Sequence, residues 1–291
     1  SSAPAPPAPA ASSAVARSQR KGSTSGGSVK LPVMFNGNTL EVLEDVGTFL
    51  TKNKGNPVIM SPASNPEKPG GATNGGIAGF VQPESHNIAF EEAAFIGIYN
   101  RFGSDPGAKD KIETVFREIG TKLMENIGTK ENPGKVNYSQ TVVSKIPKSG
   151  STKSVTVIAS AGPNMNSNPT RSIHSHFDKD AFNSVMTLFK ENKGSDRVAL
   201  LNSDAGKKMI DSYNAFLNEA VTSAGTDKPD LVIPILCSKV YAAQDGINDQ
   251  ALKDISKRMS CWALEKALAD NVHKLNSKFG IIYTTKTTIK G

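Results

Sequence analysis

Beyond residue 30, apolar positions fall into short runs bounded by turn residues, and these alternate with stretches where they recur every three or four residues. That alternation predicts strand and helix in crossover units: an α/β chain built as a three-layer α/β/α sandwich on a mixed, mostly parallel sheet. Residues 31–36 predict a first strand, and the stretch from Thr39 a helix with Leu40, Leu43, Val46, Phe49 and Leu50 on one side. Pro57 to Met60 predict a strand, and 88–103 and 110–128 two helices. Residues 136–146 alternate as a strand does, and the run from Ser154 predicts a buried strand that stops at a Gly-Pro break. Two amphipathic helices are expected over 177–192 and 203–221, a buried strand over 230–237, a long helix from Asn248, and a closing strand from Phe279. Gly103 to Ala108 and Gly225 to Pro229 are turns between elements, and no internal repeat is visible.

Between the strand at Pro57 and the helix near Ile88 lies a segment dominated by Asn, Pro and Gly. Gly70, Gly71, Gly75, Gly76 and Gly79 lack a Cβ, so the backbone there can approach a ligand closely and turn its N–H groups towards an anion. A diphosphate is held in that way. Glu84 follows the glycines, where the ribose of a cradled sugar phosphate would lie. A surface loop without a ligand has the same composition, so the segment alone leaves both uses open.

Composition narrows the classes. Residues 1–29 are Ala, Pro, Ser and Gly with only two valines among larger apolar side chains, too few to offset the entropy of ordering, and they are expected to form a disordered leader. Residues 30–291 then form one domain. Arg17, Arg20 and Lys21 in the leader follow no apolar run of signal-peptide length, and no stretch of the chain is apolar enough to span a membrane. The net charge of +7 suits a polyanionic partner or a phosphorylated substrate. With lysines scattered and only 6% aromatic residues, the interleaved basic and aromatic surface of a single-strand binder is not evident, and nucleic acid is not the favoured partner. The two cysteines, Cys237 and Cys261, sit in apolar settings without disulfide or metal spacing and read as small buried hydrophobes, which favours a reducing, cytoplasmic compartment.

The order of the pieces carries a resemblance. Asn38-Thr39-Leu40-Glu41 opens a helix, and Ala63-Ser64-Asn65-Pro66 ends a strand before Gly70-Gly71-Ala72 and Gln82-Pro83-Glu84. Later come Ser160-Ala161-Gly162-Pro163-Asn164 and then Cys237-Ser238-Lys239-Val240-Tyr241-Ala242. Taken together these islands resemble the macrodomain fold, and within it the microbial-type poly(ADP-ribose) glycohydrolases, over about residues 31–285. The resemblance implies a monomer without cofactor or metal that binds ADP-ribose or an ADP-ribosylated protein. It also implies two loops that close on the diphosphate: one holding Gly70, Gly71, Ala72, Gly75, Gly76 and Gly79, the other Ser238, Lys239 and Val240. Tyr241 and Asn65 would lie near the distal ribose and Asn38 near the adenine. Gln82 and Glu84 would form the catalytic pair, Glu84 protonating the leaving oxygen as the ribosyl bond breaks and then activating water.

This sequence departs from the family's pattern at Ala72, Pro83, Lys239 and Asn38. Pro83 removes a backbone donor and restricts φ directly before Glu84. A module that reads ADP-ribose without turnover is therefore the alternative to a hydrolase, and an RNA-binding domain a more distant one. Glu91 and Glu92 are further carboxylates, more simply a solvated helix face. His174 and His176 with Asp178 lack a fourth metal ligand at a recognisable spacing and read as a polar loop. His86 reads as a surface residue, Asp245 and Asp249 as caps of the long helix, and Trp262 with Leu252, Ile255 and Met259 as a core stripe. Residues 100–150 and 164–230 exceed a minimal macrodomain, and are expected to be helical insertions offering a surface to a substrate protein. The leader also suits a protein delivered into another cell as an effector.

Overall fold

The structure is a computed structural model that describes residues 34–35, 56–62, 136–147, 154–166, 177–233, 235–237 and 249–284. These hold strands β1 (Met34–Phe35), β2 (Val58–Pro62), β3 (Thr141–Pro147), β4 (Ser154–Ser160), β5 (Leu231–Ile233) and β6 (Ile282–Thr284). The described helices are α1 (Lys179–Lys190), α2 (Arg197–Asn202), α3 (Asp204–Ser223), α4 (Asp249–Asp270) and α5 (Val272–Lys278). The strands make one mixed sheet in the order β1-β6-β5-β2-β4-β3. All neighbours are parallel except β3 and β4, which pair antiparallel from Thr141 opposite Ser160 to Pro147 opposite Ser154. The expected α/β class and mostly parallel sheet are thus found.

β4 explains why the sheet forms here. Its seven residues are all buried, as expected for a strand covered on both faces. Ile158 shares a hydrophobic core with Val58, Met60, Leu231, Ile233 and Ile282 from neighbouring strands. The alternate positions Ile59, Val155, Val157, Ala159 and Val232 point the other way and are buried as well. Both faces of the central strands are therefore shielded from water.

The helices cover the first of these faces. α3 starts where the Ser203 hydroxyl accepts the Gly206 N–H at 3.0 Å, and the same serine ends α2. Its buried positions Ala205, Met209, Ser212, Tyr213, Phe216, Leu217 and Ala220 recur at helical spacing and pack on β4 and β3. Full burial of side chains such as Phe216 and Leu217 contributes about 1.5–3 kcal/mol each. α4 lies along α3 through Leu252, Ile255, Met259, Ala263, Leu264, Ala267 and Leu268. Gly206 is required where α3 meets the end of α2, since a Cβ there would lie 2.1 Å from the Leu200 carbonyl oxygen.

Five sequence expectations are corrected. β3 begins at Thr141, because residues 136–140 form a turn. β5 ends at Ile233, and Ile235 to Cys237 turn away, Cys237 at φ 51°. The long helix breaks at Asn271, giving α4 and α5. Part of the expected insertion at 164–230 belongs to the core, because α3 is the layer lying on the sheet. Trp262 is only partly buried, with the Arg197 guanidinium 5.7 Å above its ring, whereas its companions Leu252, Ile255 and Met259 are fully inside.

Candidate functional site

Five parallel strands place their carboxyl ends along one edge. At that edge β2 lies between β5 and β4. The chain leaving β5 continues to β6 on one side, whereas the chain leaving β2 reaches β4 on the other. The β2/β5 junction is thus a topological switch point, the place where open α/β sheets bind ligands outside the strand ends. The two stretches expected to cradle phosphate follow in sequence after Pro62, the end of β2, and after Cys237, in the turn that follows β5.

The expected site residues themselves, Asn38, Asn65, Gly70, Gly71, Ala72, Gly75, Gly76, Gly79, Gln82, Glu84, Ser238, Lys239, Val240 and Tyr241, lie outside the described residues. So do His86, Glu91, Glu92, His174, His176 and Asp245. Asp249 is the first residue of α4. Among the described residues no group of three or more His, Cys, Asp or Glu side chains could hold a metal ion.

The described part of the edge is braced by three sets of contacts. The turn after β4 meets the turn after β5: a Cβ on Gly162 would lie 2.6 Å from Cys237 Sγ and 3.3 Å from the Leu236 side chain, so only glycine lets them touch. The Cys237 thiol donates to the Pro163 carbonyl oxygen at 3.1 Å. The residue is partly exposed, but its sulfur points inward, and burial, aided by the charge of Asp178, pushes the thiol well above its ordinary pKa. It is a neutral packing group in a turn, where the sequence suggested a place in a strand.

From below, α3 and α4 hold the same turn. The fully buried Tyr213 hydroxyl accepts the Leu236 N–H at 2.8 Å and shares a hydrogen bond with Ser260 Oγ at 2.7 Å. Burial keeps this phenol protonated far into the alkaline range. One residue earlier on α3, Ser212 donates to the Ala161 carbonyl oxygen at 2.6 Å, tying the end of β4 to the helix.

Asp178 anchors the third set. Its carboxylate caps α1 by accepting the Ala181 N–H at 2.9 Å, accepts the Tyr138 hydroxyl at 2.5 Å, and pairs with the Lys208 ammonium at 2.9 Å. Lys208 also reaches Asp204 at 2.6 Å. Burial opposes the charged carboxylate, but the hydrogen bonds from Tyr138, Ala181 and Lys208 outweigh it and hold Asp178 below its ordinary pKa. Burial and the neighbouring Asp178 push Tyr138 far above the usual phenol value. The cluster pins the entry to β3 and the start of α1 beside the end of β4. The sequence reading of Asp178 as part of a polar loop, with a metal ligand as the other use, missed this role, although an Asp three residues before Ala181 at the head of an amphipathic run is an N-cap signal.

Ser160, the last residue of β4, is 1% exposed, and its hydroxyl has no hydrogen-bond partner among the described residues. Among the described residues no helix is long and apolar enough to cross a membrane. No protein-family model matches the chain, and a comparison with curated proteins likewise finds no match.

Proposed function

We propose that the chain is a macrodomain of three-layer α/β/α build that binds ADP-ribose and hydrolyses ADP-ribosyl or poly(ADP-ribose) linkages on modified proteins. The observation that carries this reading is that β2 and β5, the strands after which the two expected phosphate segments follow in sequence, are parallel neighbours in the sheet. A Gly-rich stretch following β2 in sequence and a backbone turn after β5 suit an anion with two phosphates. Burial of both faces of the central strands supports the three-layer build. In the reaction Glu84 donates a proton to the oxygen leaving the ribosyl carbon, and in the second step takes a proton from the attacking water. Gln82 stands beside it, and Tyr241 and Asn65 bind the distal ribose.

Pro83 favours one competing reading, a module that binds ADP-ribose without turnover, because it constrains the backbone directly before the only carboxylate in Gln82-Pro83-Glu84. Release of ADP-ribose from an automodified protein substrate, compared between the wild type and Glu84→Ala, separates the two. Turnover by the wild type alone supports the hydrolase. Tight binding with no turnover by either protein supports the reader, and equal turnover by both removes Glu84 from the mechanism.

A further inference from the structure

We draw no further inference here: the strongest candidate, the surface patch on α2 and α4 where Val198 stands 69% exposed next to Arg197, which lies over the Trp262 ring and pairs with Glu265, is an apolar face for which nothing in the structure shows what covers it.

Discussion

Asp178→Ala tests the polar brace at the carboxyl edge of the sheet. The substitution removes the acceptor of three donors: Tyr138, the Ala181 N–H and Lys208. Loss of the helix cap costs about 1 kcal/mol. The Tyr138 hydroxyl, in a residue only 8% exposed, is left without its acceptor, which adds about 1–3 kcal/mol. Lys208 keeps Asp204 and is partly open to solvent, so its share is about 0.5 kcal/mol or less. The expected loss is roughly 2–4.5 kcal/mol at pH 7, read from urea denaturation with an unchanged slope. Tyr138→Phe alone should cost about 1–2 kcal/mol, and the double variant should fall short of the sum by about 1–2 kcal/mol, because both single changes remove one bond.

The pH dependence follows from the direction of the Asp178 shift. Its folded pKa lies below the ordinary 3.8, so the unfolded chain takes up the proton first as pH falls. The contribution of the charged carboxylate is full above the ordinary value and is lost as pH drops through the folded one. Asp178→Asn keeps an N-cap oxygen but carries no charge, so the gap between it and the wild type should be widest near neutral pH and close as pH falls through the lowered folded value. Additive costs in the cycle, or a gap that persists at low pH, would refute the assignment of Asp178 as the hub.

Three further outcomes follow from single sites. Gly206→Ala, which would normally favour a helix by about 1 kcal/mol, should instead destabilise by more than about 2 kcal/mol in thermal or urea unfolding, because the methyl meets the Leu200 carbonyl oxygen. In the native protein at pH 8 Cys237 should resist alkylation, as its thiol is turned inward and held neutral, and should react on denaturation; rapid native labelling at Cys237 by peptide mapping would contradict this. Glu84→Ala should retain ADP-ribose affinity within about three-fold while hydrolysis falls by at least about 100-fold, measured on the same preparation.

What could be read in the sequence follows the range of the interactions. β4 was legible because a continuous apolar run flanked by Ser-Thr-Lys and Gly-Pro has few alternatives to a strand buried on both faces. α1 and α3 were legible from their helical spacing. The run Leu231 to Cys237 looked like one strand because its residues are uniformly apolar, but a proline follows at 234, and without an N–H it cannot donate to the ladder of a central strand. The pairing of β5 with β2 and β6 stops just before it. The break at Asn271 had little signal, since Asn in a helical pattern is tolerated, and here its side chain bonds the Ala267 carbonyl oxygen and Asn214.

The braces of the edge were not legible at all. Tyr213 meets Leu236 and Ser260 across 23 and 47 residues, and Asp178 meets Tyr138 across 40, so no local period records them. Each residue looks ordinary in its own segment. Gly162 read as part of a strand-ending break, and only the close approach of Leu236 and Cys237 shows why its lack of a Cβ matters.

Calorimetric titration of the full chain with ADP-ribose, with AMP as the control ligand, tests the central claim most directly. The account predicts binding in the micromolar range or tighter, with AMP weaker by at least about ten-fold, because on the proposed function the diphosphate and distal ribose would be the groups recognised. No heat with ADP-ribose, or equal affinity for AMP, would contradict it and leave the sheet without the ligand assigned to its carboxyl edge.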